Sequence, residues 1–260
     1  MRRFFSRQVA EEVLKLLGND RVEVLDQCSC LNYTYVLINT GLGGEFLGIA
    51  YTPVEDLRAG EVGVVPRVEE LPELVINLDS LVRALGIALI NAISHYLVVR
   101  DGLRLSQGDL KSEILRFVKP SCTACFVGSI TPVAEALRGG KCGVYQLERR
   151  SDLRHDGYPD INAPLIIPNC DILVITGSAM VNNTIDQLLA MRMDGAITVL
   201  SGPTAAAYPP PVLHGLGINV IGSSLVKRPR SVIELLKLGA GYRLLDRMGL
   251  LFKYVSTGAV

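Results

Sequence analysis

From about residue 106 the chain repeats one pattern five times. The short apolar runs "ACFVGS", "CGVYQLE", "DILVITGS", "AITVLSGP" and "INVIGSS" follow one another with helical spacing between most of them: "TPVAEALRG", "NNTIDQLLAM", "PPPVLHGLG" and finally "SVIELLKLG". Strands that are apolar nearly throughout must be covered on both faces, and alternation with helices makes the connections crossovers. The pattern therefore predicts a Rossmann-like α/β domain over residues 106–260, with a mainly parallel sheet of five strands or more. Thr131 before Pro132, Asn183 with Asp186, and Ser231 with Glu234 have the spacing of helix starts and capping boxes.

In a parallel sheet all strand ends point one way. Gly128-Ser129, Glu148, Thr176-Gly177-Ser178, Ser201-Gly202-Pro203-Thr204 and Gly222-Ser223-Ser224 should gather on the carboxyl edge, where open α/β sheets bind ligands. Glycine lets a ligand approach the backbone, and helix starts offer free amides. Asn182 and Thr184 follow in the same loop as Ser178. Glu148 lies twenty residues beyond Gly128, at the end of the second run, where nucleotide-binding folds place an acid against ribose hydroxyls. "VGSITP" is not G-x-G-x-x-G, so a nucleoside or adenosylmethionine-like ligand fits better than a dinucleotide. Turn and capping preferences alone also favour Gly, Ser and Asn in such loops. The edge carries no G-x-S-x-G elbow, Walker lysine or carboxylate pair, so binding is easier to support than catalysis. The segment from Arg149 to Cys170, with Arg149, Arg150, Arg154, His155, Asp156 and Asp160, is either a lid over this edge or a solvated connection.

Residues 1–105 read as a separate α+β domain. An amphipathic helix ends at Gly18, and two strand-like runs, "VEVLDQCSCLNYTYVLIN" and "EFLGIAYT", are joined by the glycine-rich "TGLGG". Residues 53–74 look irregular, and a long apolar helix at about 79–98 closes the unit. Asn91, Ser94 and His95 form a polar stripe on that helix, facing either solvent or the second domain. His214 reads as a helix-end residue.

Hydrophobic residues make up 49% of the 260, enough for a sizeable core, and Lys plus Arg equals Asp plus Glu at 26 each. With no net field and no tryptophan, nothing argues for nucleic acid or a membrane surface as partner. Glu11, Glu12 and Lys15 interrupt the N-terminal apolar stretch, so a signal peptide is not expected and the cytoplasm is the expected location. Six cysteines in that setting suggest free thiols, a metal site or redox chemistry before a disulfide framework. Cys122 and Cys125 have C-x-x-C spacing but supply only two ligands, and Cys122 lies roughly 20 Å from Gly128, on the wrong edge for the crevice. Cys28 and Cys30 would have to complete a four-thiolate site. Cys142 and Cys170 read as core or strand-flanking residues.

The segments "GIALINAISHYL", "DILVITGSAMVNNTIDQLL" and "VLSGPTAAAYPPPVLHGLGINVIGS", in this order, resemble the heavy-metal-chelation family of unknown-function proteins. The resemblance implies an enolase-N-terminal-like α+β domain followed by a Rossmann-like domain, with a site between them. It also implies a site that joins Asn91 to Thr176, Gly177, Ser178, Asn182, Thr184, Gly202 and Pro203. The expected ligand is a small polar metabolite or its metal chelate, bound in the interdomain cleft, with a heavy-metal ion or an adenosine-containing ligand as the cofactor type. The alternative is a transferase or synthase in cofactor or chelator biosynthesis that uses adenosylmethionine or a nucleoside. "LLDRMGLLFKYV" near the C-terminus offers an apolar face for a homo-oligomer.

Overall fold

The computed structural model describes residues 4–41, 43–56, 63–138, 142–208 and 212–258. In chain order the first part holds α1 (Phe5–Leu17), β1 (Val22–Ser29), β2 (Tyr33–Thr40), β3 (Glu45–Tyr51), α2 (Leu71–Leu74) and α3 (Ser80–Arg100). Next come β4 (Ser106–Gln107), α4 (Leu110–Leu115), β5 (Thr123–Val127), α5 (Thr131–Arg138), β6 (Gly143–Glu148), α6 (Ser151–Arg154), β7 (Tyr158–Pro159) and α7 (Ala163–Ile166). The chain continues through β8 (Ile172–Thr176), α8 (Ser178–Val181), α9 (Ile185–Met191), β9 (Ile197–Ser201), β10 (Val220–Val226), α10 (Pro229–Lys237), α11 (Tyr242–Arg247) and β11 (Leu251–Thr257).

Two sheets result. β1, β2 and β3 form an antiparallel meander, and Gly43 takes the positive φ of 79° that the β2–β3 turn needs. The first expected strand run is thus two strands, folded back at Cys30–Asn32. The second sheet is mixed and mostly parallel, in the order β4-β11-β10-β9-β8-β5-β6-β7. The six strands from β7 across to β10 run parallel, and β11 is antiparallel to both β10 and β4. The chain enters this sheet at β5, builds outward through β6 to β7, then crosses back to β8 and builds the other way. Between β5 and β8 the order reverses, which leaves a crevice at their carboxyl ends. β4 and β7 are only two residues long and leave no periodicity to read. Of the stretch "LLDRMGLLFKYV", Leu250, Leu251 and Tyr254 are buried within the chain, while Leu244 and Met248 stay exposed.

Alternate residues of each strand serve different layers, as a period of two requires. Cys125, Leu173, Ile175, Leu200 and Ile221 join one continuous core with α1, α3, Val36 and Ile38. Ala124, Phe126, Val174, Val199 and Val220 face the opposite side, against Val133, Ala134 and Leu137 of α5. The far face of the three-stranded sheet, with Tyr35, Leu37, Leu47 and Ile49, packs on Val232, Ile233 and Leu236 of α10 and on Leu245 of α11. The small sheet is therefore held on both sides, by α3 and by the helices that follow β10.

α3 starts where Asp79 accepts hydrogen bonds from the amides of Leu81 (2.8 Å) and Val82 (3.4 Å). It lies directly on β3 because Gly48 has no side chain: a Cβ there would overlap the Ala88 carbonyl oxygen and the Ala92 amide nitrogen. Among the described residues it is the one helix long and apolar enough to cross a membrane, and 83% of its most apolar window is buried in the protein.

Three expectations are corrected here. All six cysteines form disulfides: Cys28–Cys30, Cys122–Cys142 and Cys125–Cys170, with Cα separations of 5.2, 4.5 and 5.8 Å. Cys122 and Cys125 cannot join one thiolate site, because neighbours three apart on a strand point to opposite layers. Asp186 closes no box with Asn183. Its Oδ1 accepts the Phe5 amide at 2.9 Å and so caps α1 from 181 residues away. α10 begins at Pro229, two residues before Ser231, and no side chain caps it; proline at the first turn has no amide to satisfy. The helix expected from Pro209 begins on residues outside the described set.

Candidate functional site: the cleft at the strand-order reversal

A cleft of about 800 Å³ opens at the carboxyl ends of the parallel strands. Its floor is the reversal point itself. Gly128 follows β5 directly, with φ of 99°, and a Cβ on it would lie 2.5 Å from Cγ2 of Thr176, the last residue of β8. Only glycine lets these two strand ends close up. Ser178 opens α8, and its hydroxyl lies 3.4 Å from that of Thr176.

Of the residues singled out from the sequence, Gly128, Ser129, Glu148, Thr176, Ser178, Asn182, Thr184, Gly202 and Pro203 all line the cleft. Gly177 does not: it packs against Thr204 and Ala205, with no room for a Cβ. Asn91 does not line it either. It is 2% exposed, and its Nδ2 donates to the carbonyls of Ile49 (2.9 Å) and Thr204 (3.0 Å). With the Tyr51 amide donating to Thr204 Oγ1 at 2.9 Å, this fastens the turn Pro203–Ala205 to the small sheet. Asn91 thus shapes the wall from behind. The Gly222-Ser223-Ser224 stretch, expected on the edge, sits inside β10. There Ser223 donates to the Gly202 carbonyl at 2.8 Å, and a Cβ on Gly222 would meet Leu110.

Glu148 ends β6, and its Oε1 accepts the Arg150 amide at 3.0 Å. The segment after it folds over the cleft: Arg154 donates to the carbonyls of Glu148 and Arg149, and Arg149 pairs with Asp160 at 3.0 Å. Leu153, Ile161 and Pro164 of this segment line the cavity, while His155 is exposed and lies outside it.

The opposite wall comes from the small sheet, as Tyr33, Tyr51 and Glu55. Burial pushes the Tyr33 phenol up to about 12. Tyr51 also rises to about 12, chiefly through burial and then through its bond to Glu55, whose Oε2 accepts it at 3.0 Å. Both therefore stay protonated donors at neutral pH. The sequence held no signal for these three, because only tertiary packing carries β2 and β3 to this edge. His95 lies elsewhere, edge-on to Phe46 with ring centroids 5.1 Å apart, and burial lowers its pKa to about 4. His214 contacts the Ile218 carbonyl and the Ser256 hydroxyl and is structural.

With this geometry in view, comparison with known proteins is informative. Residues 112–254, more than half of the chain, match the DUF364 family, described as "putative heavy-metal chelation". The chain belongs to the DUF364 family. Residues 11–94 match a companion family, DUF4213, with the same description. An uncharacterized protein of Methanocaldococcus jannaschii is 29% identical over a 234-residue alignment that covers 84% of this chain and 85% of that one. A DUF364 crystal structure from Pyrococcus horikoshii, of unknown function, has 25% identity and a TM-score of 0.83, covering 98% and 99% of the two chains. Another, from Desulfitobacterium hafniense, has 17% identity, a TM-score of 0.75 and coverage of 96% and 98%, and shares the fold. Both fit the same two-domain arrangement.

The description of DUF364 raises the question of a metal. Among the described residues no group of three or more His, Cys, Asp or Glu side chains could hold one. The cysteines are oxidised, and Asp160 in the cleft is paired with Arg149. This donor set does not fit a metal held by protein groups alone.

Proposed function

We propose that the cleft binds a small polar organic metabolite, free or as its metal complex, and that the protein serves heavy-metal chelation or metal-cofactor metabolism in the cytoplasm. The observation that carries this reading is the convergence of Gly128, Thr176, Ser178, Asn182 and Glu148 on the strand-order reversal, roofed by Tyr33 and Tyr51. The order of the six parallel strands supports a Rossmann-like domain, and the meander with its packed helix supports an enolase-N-terminal-like partner. In that reading the organic part meets the carboxyl edge, and any metal arrives with its own chelator, because the protein's donor set is too sparse to hold it. The DUF364 description supports the metal half of the reading.

Native mass spectrometry of the purified protein tests it, with Glu148→Ala alongside. An organic mass retained by the parent and lost from the variant is expected. Metal bound without any organic mass, and retained by Glu148→Ala, would overturn the reading.

A further inference from the structure

Resting on that cleft reading, we infer that the ligand class is a nucleoside without a 5′-phosphate, so that the cleft discriminates against nucleotides. Glu148 stands at the end of the second parallel strand of a sheet whose order reverses between β5 and β8. One of its carboxylate oxygens is fixed by the Arg150 amide, which orients the group and leaves Oε2 for a vicinal diol. A ribose held there directs its 5′-carbon toward the neighbouring strand end, about 4.8 Å away, at Gly128.

The strand ends around Gly128 are not built as a phosphate cradle. Four of their amides already donate to backbone carbonyls: Gly128 to Leu147 (2.8 Å), Ile130 to Gly128 (3.0 Å), Gly177 to Ser201 (2.7 Å) and Gly202 to Gly222 (2.9 Å). The space above Gly128, which a glycine-rich phosphate loop leaves open, holds the Thr176 methyl group. Charge works in the same direction. The ionisable side chains lining the cleft, apart from tyrosine, are Glu55, Glu148 and Asp160 against Arg149 and Arg150. Arg149 is bound to Asp160, and Arg150 to Asp152 at 2.7 Å. A phosphate entering here would lose water, find both arginines of the cleft already paired and meet an excess carboxylate. The apolar side chains of Leu153, Ile161, Leu188 and Met191 suit the flat face of a base.

Titration calorimetry with adenosine, guanosine, cytidine and uridine, and with their 5′-monophosphates, tests the inference. One nucleoside or more should bind, each with its monophosphate weaker by about tenfold or more. Glu148→Gln, checked for unchanged thermal unfolding, should weaken that nucleoside by about tenfold as the charged acceptor is lost. A monophosphate that binds as tightly as its nucleoside, or an unaffected Glu148→Gln, overturns the inference while leaving the cleft reading in place. If no nucleoside binds, the class is wrong, and an organic mass of another kind retained in native mass spectrometry would still uphold the cleft itself.

Discussion

Asn91 and Gly48 carry more of the architecture than their chemistry suggests. Asn91 was a natural candidate for ligand contact, yet both of its short amide bonds go to backbone carbonyls, one in each sheet unit. Asn91→Ala would leave those buried acceptors without donors, at a cost of about 2–3 kcal/mol in chemical denaturation. Asn91→Asp should be no milder, since a carboxylate cannot donate to them. Gly48→Ala should be worse still, because the added carbon meets helix backbone rather than a movable side chain. We expect no cooperatively folded protein, measured by near-ultraviolet circular dichroism. His95 sets a pH dependence. Its folded pKa of about 4 lies below the ordinary 6.5, so the unfolded chain takes up the proton first as pH falls. The stability that His95 contributes is whole above about pH 6.5, declines between 6.5 and 4, and is flat below. The ring keeps some solvent contact, so the loss should be on the order of 1–2 kcal/mol, less than the full shift implies. His95→Phe should remove that slope from a pH series of urea midpoints.

The disulfides differ in what they tie together. Cys122–Cys142 joins the residues just before β5 and β6, and Cys125–Cys170 joins β5 to the residue before Asp171 and β8. Their sequence separations are 20 and 45, whereas Cys28–Cys30 closes a separation of 2 at the end of β1. By loop-closure entropy the first two stabilise by about 3 and 4 kcal/mol and the third by about 1 kcal/mol. Thermal unfolding of paired Cys→Ser variants should follow that order, with Cys28→Ser/Cys30→Ser nearly neutral. The C-x-x-C spacing misleads here because the strand turns its two sulfurs into opposite layers. α8 and α9 show a similar limit. Their polar loop was legible as a ligand wall, but Asp186 is occupied in capping α1, a partner far too distant in sequence to be inferred from spacing.

The small sheet is enclosed by α3 on one face and by α10 and α11 on the other, so the two units share cores at both ends of the chain. A single cooperative unfolding transition is therefore expected in calorimetry. Removing the chain from Pro229 onward would expose Tyr35, Leu37, Leu47 and Ile49 together, and should leave an aggregating product rather than a stable fragment. The sequence by itself determined the class of the second unit, the long apolar helix α3, and most of the carboxyl-edge residues from Gly128 to Pro203. Those properties follow from local hydrophobic period and from the rule that parallel strand ends share an edge. Only the tertiary structure decided that Asn91 and Gly177 serve the walls rather than the cavity, that Tyr33, Tyr51 and Glu55 complete it, and how the cysteines pair. These depend on contacts between residues far apart along the chain, which no local period records. The two-residue strands β4 and β7 also escaped the sequence, because a period of two cannot be seen in two residues.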